Sequence, residues 1–445
     1  MAQDLDRLAL WVFVSSAIAN DGALRMTSRN ADLGDIHIIG AGLAGLAAAM
    51  RLSRAGHRVT IYEAAQQAGG RCRSYHDAEL DCRLDNGNHL IVTGNLAAMA
   101  YLAEIDAAST VVTQDMAVFP FIDVGTGERW TVRPTDGRFP WWIFLKNRRV
   151  GGSKARDYLS ALKLQRAGRE ATITDCFDTA SLLYRRLWAP LTVAVLNTEP
   201  ENASAALLWS IFEQTFGRGG AALHPVLPKL GLSESLVDPA LRMLAKRGGE
   251  IRYGHRLRAI SRHEKRVTQL DFGKLQIDLG PRDQVVLAVT APVAGDLLPG
   301  LSAPDSFRAI VNAHFRCDDV AGEPGFVGVI GGTAEWIFKK PGILSVTCSA
   351  AEALVDRPAE ELAAVIWRDV ARTFDRDPSH LPPWRVVKEK RATFASTPEQ
   401  LAKRPGCRGQ YGNLWLAGDW TDTGWPATIE GAIRSGFTAA DAMLL

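Results

Sequence analysis

Three glycines near the start of the chain have the spacing of a phosphate-binding turn. Gly40, Gly42 and Gly45 follow a short apolar run and precede a stretch rich in alanine and leucine. In a strand–turn–helix unit the first glycine permits a tight turn, the second lets a pyrophosphate approach the backbone, and the third lets helix and strand pack closely. Leu43 and Ala44 would start the helix, where free N–H groups and the positive dipole end face the phosphates. The pattern predicts a dinucleotide site.

Two further features extend this site. Glu63 ends the second predicted strand, 21 positions after Gly42, where a carboxylate can bind both hydroxyls of an unphosphorylated ribose. Gly69 and Gly70 again allow close approach, and Arg71 offers a fork of donors to a phosphate or another part of the cofactor. The alternative interpretation is a structural turn that binds no ligand.

The carboxyl-terminal end of the chain carries a second set of such residues. Gly418 and Asp419 follow an apolar run that predicts a strand, and a glycine-containing helix begins near Ile429. The Asp419 carboxylate can accept a hydrogen bond from a ribityl hydroxyl, and the helix start supplies another positive dipole end. Either feature alone could be a loop or a helix cap. Together with the first motif, they indicate one nucleotide site closed by both ends of the chain.

These motifs resemble the FAD-dependent amine oxidase and phytoene desaturase superfamily. Within it, residues 84–90 and 416–432 resemble the squalene-associated branch, the hydroxysqualene dehydroxylases, and the similarity extends over residues 36–445. The resemblance implies an enzyme that uses reduced FAD to replace the hydroxyl of hydroxysqualene by hydrogen, giving squalene for hopanoid synthesis. Asn88 in place of glutamine and Trp425 in place of a smaller apolar residue depart from the pattern, and they concern the substrate more than the cofactor.

The resemblance also implies roles for individual residues. Glu63 would contact the adenosine ribose, Arg71 would lie along the cofactor, and Leu257 would present its backbone to the adenine. Asp419 would hold the ribityl or pyrophosphate region. Ile429 and the following helix start would face the pyrimidine carbonyl of the flavin, where an N–H group stabilises negative charge on the reduced ring.

Loss of a hydroxyl as water needs a proton donor in the active site. The candidates are Asp85, His89, Glu213 and Asp422, and the first two are favoured because their segment borders the flavin by resemblance. Two of them have an alternative interpretation: His89 as a histidine bonded to a backbone carbonyl, and Glu213 as part of the polar side of an amphipathic helix.

The predicted strands and helices that must position these residues indicate an α/β fold. We expect a Rossmann-like FAD-binding domain of the GR2 type, interrupted by an α+β substrate domain and a helical region. Residues 1–33 are predicted to form an N-terminal extension, either ordered or disordered. Residues 34–95, 245–300 and 405–445 are predicted to form a discontinuous FAD-binding domain. Residues 96–244 and 301–404 are predicted to form substrate-binding and helical, membrane-facing insertions.

Composition narrows the function classes. The 445 residues are 47% hydrophobic and 22% charged, as in folded proteins of two or three domains. A net charge of +2 gives no overall field for holding nucleic acid. The six cysteines are scattered without a CxxC pair or ligand-like cluster, so neither a disulfide scaffold nor a metal site is predicted. This pattern favours a cytoplasmic location.

A hydrophobic isoprenoid substrate, which the resemblance implies, would bring the enzyme to a membrane. Trp141 and Trp142 precede a basic stretch from Lys146 to Arg156, as at anionic lipid surfaces, and predict peripheral contact with the inner face of the cytoplasmic membrane. Alternatively, the tryptophans are core residues and the charges a solvated face. The apolar stretch at residues 8–19 is too short to span a bilayer, and translation could start at Met1 or Met26.

Two other functions are compatible with these motifs. One is another flavin enzyme, either a carotenoid or phytoene-type desaturase or an amine oxidase. The other is a flavin-free isoprenoid-binding escort protein, similar to the Rab GDP-dissociation inhibitors. Arg71 together with Gly418 and Asp419 favours a bound cofactor. The sequence does not predict the electron donor or the oligomeric state.

Overall fold

The computed structural model describes residues 34–445. The predictions for residues 1–33, including the apolar stretch and the start at Met26, lie outside the described residues. The strands are β1 (Ile36–Ile39), β2 (Val59–Tyr62), β3 (Ser74–Asp77), β4 (Cys82–Asp85), β5 (Ile91–Val92), β6 (Val111–Thr113), β7 (Phe119–Asp123), β8 (Arg129–Val132), β9 (Pro225–Pro228), β10 (Glu250–Arg252), β11 (Ala259–His263), β12 (Arg266–Asp271), β13 (Gln276–Asp278), β14 (Gln284–Leu287), β15 (Phe307–Arg316), β16 (Gly325–Ile330), β17 (Trp336–Lys340), β18 (Ile343–Cys348), β19 (Trp384–Phe394) and β20 (Leu414–Leu416).

The α-helices range from four residues to 16. The α-helices are α1 (Leu43–Arg54), α2 (Leu96–Glu104), α3 (Leu162–Gln165), α4 (Ile173–Cys176), α5 (Ala189–Leu196), α6 (Ala205–Gln214), α7 (Asp238–Lys246), α8 (Ala291–Leu297), α9 (Ala359–Thr373), α10 (Pro398–Ala402) and α11 (Ile429–Leu444). The 3₁₀ turns are Ala108–Thr110, Trp141–Phe144, Ala155–Ala161, Phe216–Arg218, Gly220–Leu223 and Ala351–Ala353. Two wider π turns span Tyr184–Trp188 and Ser233–Val237.

A parallel sheet carries the dinucleotide motif. Its five strands lie in the order β10–β2–β1–β14–β20. All residues of β1 and β2 are buried, as expected where helices cover both faces of a parallel sheet. Helices α1 and α11 pack so closely that a side chain at Gly436 would meet the Ala44 carbonyl oxygen at 2.2 Å. This arrangement confirms the predicted Rossmann-like α/β fold.

A second, mixed sheet is assembled from two distant stretches of chain. Its strands lie in the order β19–β15–β18–β17–β16–β7–β8, and only β7 and β16 pair in parallel. Helix α9 packs against it, with the rings of Phe315 and Trp367 at 5.1 Å. The β7–β8 hairpin precedes the rest of this sheet by more than 170 residues of chain. The sheet therefore joins both predicted insertions.

Helices α3, α4, α5 and α6 pack around aromatic side chains. Trp188 packs against Phe177 at 5.5 Å and Phe212 at 5.4 Å, and Trp425 belongs to the same core. Two helical stretches are irregular. A 3₁₀ turn precedes the four residues of α3, and a π turn, Ser233–Val237, leads directly into α7.

No helix within residues 34–445 is both long and apolar enough to cross a membrane.

Candidate active site

The turn between β1 and α1 has the backbone geometry that its glycines allow. Gly40 has a φ of +106°, and a side chain there would meet the Ala288 carbonyl oxygen at 2.4 Å. A side chain at Gly45 would meet the Gly40 carbonyl oxygen at 2.0 Å, which is why helix and strand can pack so closely here. A Cβ at Gly42 would have no neighbouring atom within 4 Å. The Gly42 backbone therefore borders an open cradle at the start of α1, where an anion is favoured.

The Glu63 carboxylate is fixed at the edge of this cradle. Its Oε2 accepts a hydrogen bond from the N–H of Ala41, and its Oε1 accepts one from the N–H of Ala65, both at 2.8 Å. Each carboxylate oxygen can accept a second hydrogen bond. Glu63 and Leu257, the two residues that the sequence assigns to the adenosine half of a dinucleotide, line the same cavity.

A salt bridge connects the motifs at the two ends of the chain. The Arg71 guanidinium donates to both carboxylate oxygens of Asp419, at 2.8 and 2.7 Å, and to the carbonyl oxygen of Ala392. The Asp419 charge outweighs desolvation and raises the pKa of Arg71. The N–H of Gly69 donates to the Ala41 carbonyl oxygen at 2.8 Å, which holds this segment on the first turn. Arg71 and Asp419, both predicted to contact the cofactor, therefore use part of their hydrogen-bonding capacity on each other.

The start of α11 forms the opposite wall. Gly418 has a φ of +153°, and a side chain there would meet Nε1 of Trp420 at 2.3 Å. The hydroxyl of Thr428 caps the helix by accepting from the N–H of Gly431 at 3.1 Å. Ile429, the first helical residue, lines the cavity. The positive end of a 16-residue helix therefore faces the site.

A ribbon of polar side chains lines another part of the cavity. The amide of Asn88 donates to the hydroxyl of Thr347 at 3.1 Å, and that hydroxyl donates to Oδ1 of Asn312 at 2.8 Å. The amide of Asn312 donates in turn to the Asn86 carbonyl oxygen at 3.3 Å. The Oδ1 of Asn88 is buried and has no hydrogen-bond partner among the described residues. Apart from Asn88, these side chains carry no motif that the sequence analysis could have recognised.

These groups surround a cavity of about 470 Å³. This volume lies within the roughly 300–1,000 Å³ of most small-ligand pockets. The predicted residues Gly40, Gly42, Leu43, Ala44, Glu63, Gly69, Gly70, Arg71, His89, Leu257, Gly418, Asp419 and Ile429 all line it. Further lining residues that the sequence did not predict include Ala194, Val195, Asn197, Ile310, Ser349 and Thr393.

Asp85 lies behind this cavity, and both of its carboxylate oxygens have partners within the protein. Its Oδ1 accepts from the hydroxyl of Ser74 and from the N–H of Leu232 at 2.9 Å, and its Oδ2 pairs with the Lys340 ammonium. Burial raises the pKa of Asp85, but the Lys340 charge and these hydrogen bonds outweigh it, so the pKa lies below its ordinary value. The structure therefore favours a permanent carboxylate at this position over a proton donor.

His89 lies between Asp85 and the main cavity. It lines both this cavity and a much smaller pocket, of about 10 Å³, that Asp85 and Lys340 also line. Burial lowers the pKa of His89 to about 4, so the imidazole is neutral near pH 7. A neutral imidazole can donate one hydrogen bond and accept another.

Three of the predicted residues lie elsewhere. Asp422 is exposed and accepts a hydrogen bond from Gly424 at 3.2 Å within a turn, and Glu213 is exposed near the end of α6. Neither lines the cavity. Trp142 is only 5% exposed and packs edge-on against Tyr158. The prediction of a lipid contact through Trp142 is wrong, because neighbouring side chains of this 3₁₀ turn point in different directions.

Comparison with known proteins identifies the family. Residues 43–444 match the model of the flavin-containing amine oxidoreductases. The chain is 47% identical over 410 residues to a hydroxysqualene dehydroxylase of Sinorhizobium fredii and 48% identical to one of Rhodopseudomonas palustris. Both matches cover 92% of this chain and 98% of the relative. An oxidoreductase structure from Methanosarcina mazei has the same fold, with a TM-score of 0.68, 15% identity, and coverage of 92% of this chain and 100% of that one.

The glycine cradle at the start of α1 and the Glu63 carboxylate at its edge fit a dinucleotide cofactor. Together with the family match, they identify an oxidoreductase whose cofactor is FAD. The chain belongs to the hydroxysqualene dehydroxylases, a family of the flavin-containing amine oxidoreductases.

Proposed function

We propose that this protein converts hydroxysqualene to squalene. The observation that carries the proposal is 47–48% identity to two hydroxysqualene dehydroxylases over nearly their whole length, in a chain whose cofactor cradle is complete. In the reaction the C–O bond breaks with its electron pair on oxygen, which takes a proton and leaves as water. The carbon receives hydrogen together with an electron pair. When bound, reduced FAD supplies that hydrogen and both electrons.

The chain's own residues bind and orient the reactants. The N–H groups of Leu43 and Ala44 at the start of α1 bind the pyrophosphate, and Glu63 binds the ribose hydroxyls. The start of α11 at Ile429 stabilises negative charge on the pyrimidine side of the ring. Asp419, held by Arg71, orients the middle of the cofactor.

The substrate end of the cavity needs both apolar surface and polar groups. Ala194, Val195 and Ile310 supply apolar wall for an isoprenoid chain and exclude water. His89 offers a neutral donor or acceptor to the substrate hydroxyl. Asp85 and Lys340 form a fixed ion pair behind His89.

An anaerobic single-turnover experiment tests the proposed reaction. The purified protein is reduced under nitrogen and mixed with hydroxysqualene, and the products are separated by gas chromatography. The expected result is one squalene per flavin, with recovery of the oxidised flavin absorbance. Peroxide formed from amines in air, or new double bonds in a carotenoid precursor without squalene formation, would point instead to an oxidase or a desaturase.

We further propose that an exposed aromatic patch, formed by Phe139, Trp141 and Phe144, binds anionic lipid. These side chains are 52%, 62% and 56% exposed, and their ring centroids lie 4.4 to 6.4 Å apart. The neighbouring Lys146 and Arg156 are exposed as well. Aromatic rings at the headgroup level and nearby cations complement the surface of an anionic bilayer.

Vesicle flotation tests the aromatic patch. Burying two exposed rings in the interface contributes about 2–4 kcal/mol in total, so the double variant Trp141→Ala with Phe144→Ala should bind phosphatidylglycerol vesicles roughly 100-fold more weakly. Leu230→Ala removes a side chain that is 73% exposed outside the patch and should bind normally. Equal flotation of the double variant and the wild type would remove the proposal.

A further inference from the structure

The carboxyl group of Glu335, which has no role in the substrate contact proposed for His89, lies directly behind the cavity wall. Glu335 is in the hairpin between β16 and β17 and is only partly exposed. Its Oε2 accepts a hydrogen bond from the N–H of Ser349 at 2.7 Å. Ser349 follows β18 and lines the cavity. One residue therefore separates this carboxyl group from the space where the substrate is expected.

The surroundings of Glu335 differ from those of Asp85 and Asp419. These two carboxylates are paired with cations, whereas within residues 34–445 Glu335 forms no ion pair. The charged group that faces it is a carboxylate, Glu199, after α5. Asp369, on α9, is likewise without an ion pair in the described residues, and its carboxylate accepts hydrogen bonds from backbone N–H groups of the same hairpin.

These surroundings set the protonation state of Glu335. Desolvation raises its pKa to about 7, with a smaller contribution from the Glu199 charge, against the lowering by hydrogen bonds from the N–H and side chain of Ser349. Glu199 is exposed and can exchange protons with solvent. Glu335 is itself partly exposed, so it too can exchange protons with solvent, and its hydrogen bond to Ser349 places it next to the cavity.

We propose that Glu335 delivers the proton for the departing hydroxyl, through the hydroxyl of Ser349, a residue that lines the cavity. Ser349 gives its proton to the substrate oxygen as the C–O bond breaks, water leaves, and Ser349 recovers a proton from Glu335, which is reprotonated from solvent. Glu335 acts through Ser349 and is thus a positioning residue. The inference rests on the proposed dehydroxylation.

The pH dependence of single-turnover squalene formation tests this relay. In the wild type, the single-turnover rate constant should fall above about pH 7 as Glu335 loses its proton. Glu335→Gln keeps an acceptor for the Ser349 N–H but carries no exchangeable acid proton. It should lower the rate about 100-fold or more and remove the decline between pH 6 and 8, and Ser349→Ala should lower the rate similarly. The surface variant Glu361→Gln, half exposed on α9, should match the wild type.

A readout without turnover completes the test. Infrared difference spectra of the wild-type flavoprotein should show a protonated carboxyl band that disappears near pH 7 and is missing in Glu335→Gln. Full activity with an unchanged alkaline decline in Glu335→Gln would overturn the relay, as would loss of that decline in Glu389→Gln, the variant of a carboxyl group that lines the cavity directly. Absence of squalene formation in the wild type would instead refute the proposed function.

Discussion

Gly42→Ala should separate cofactor binding from folding. Gly42 precedes α1 with φ −72° and ψ 175°, an extended conformation that alanine adopts freely. Its Cβ would have no neighbour within 4 Å, so the cofactor-free protein has no steric reason to lose stability. Loss of the glycine cap costs about 0.5 kcal/mol, and the reduced entropy of the unfolded chain returns a similar amount. The free energy of unfolding should change by less than about 1 kcal/mol.

The same methyl group would occupy the cradle against which the pyrophosphate must lie. A hydrogen bond to a charged group contributes about 1.5–3 kcal/mol. If the methyl group displaces the pyrophosphate from two N–H groups at the start of α1, about 3–6 kcal/mol of binding free energy is lost. At 1.4 kcal/mol per tenfold change, the Kd for FAD should rise about 10²- to 10⁴-fold.

Titration of the apoprotein with FAD, followed by quenching of flavin fluorescence, gives the Kd directly. Thermal unfolding with and without excess FAD gives a second measure, since stabilisation by a ligand depends on the ratio of its concentration to its Kd. Gly45→Ala is the matched control, because its Cβ would meet the Gly40 carbonyl oxygen at 2.0 Å and should destabilise the apoprotein itself. Unchanged FAD affinity in Gly42→Ala, or equal destabilisation of both apoproteins, would refute the reasoning.

Three further substitutions test packing and buried charge. Gly436→Ala should lower the free energy of unfolding in urea by about 1–3 kcal/mol, because its methyl group would meet a carbonyl oxygen of α1 at 2.2 Å; Gly295→Ala, which meets nothing within 4 Å, should change it by no more than about 1 kcal/mol. Lys340→Met should cost about 3–5 kcal/mol at pH 7, since it leaves the Asp85 carboxylate buried and unpaired. The pKa of Asp85 is lowered in the folded protein, so the stability that the pair contributes is present above about pH 4 and is lost as the pH falls through the lower folded pKa; the difference between Lys340→Met and wild type should therefore shrink in acid. Asp419→Asn should lower the thermal stability of the apoprotein by an amount equivalent to about 1–2 kcal/mol, because a neutral acceptor replaces a charged one opposite the guanidinium.

The parts of the site that the sequence predicts are those built from neighbouring residues. The cradle from Gly40 to Gly45 is a local turn whose φ values and close contacts demand glycine, so residue type and spacing identify it. Glu63 follows from the length of one strand–helix–strand unit. The carboxyl-terminal motif around Gly418 is likewise local, and only its position against the first motif required the fold.

The substrate side could not be predicted in this way. Asn312 and Thr347 meet because β15 and β18 pair in one register, which local sequence does not specify. The pairing of Asp85 with Lys340 joins positions 255 residues apart, so a carboxylate that resembles a proton donor in sequence is an ion-paired one in the structure. The sequence does not reveal that Trp142 is buried, because a four-residue turn is too short for periodicity to show which side chains face the core.

The partners of the buried carboxyl groups distinguish those that stabilise the fold from the one that suits proton transfer. A buried carboxylate is costly unless a cation compensates it, and the Asp85, Asp419 and Glu430 carboxylates each have such a partner. Glu335 has none among residues 34–445 and faces a second carboxylate instead. A glutamine there would accept the same N–H bond without the cost of desolvating a charge, so stability alone does not explain the acid. A group that must gain and lose a proton near neutral pH requires these surroundings, because pairing with a cation would fix it in the charged form.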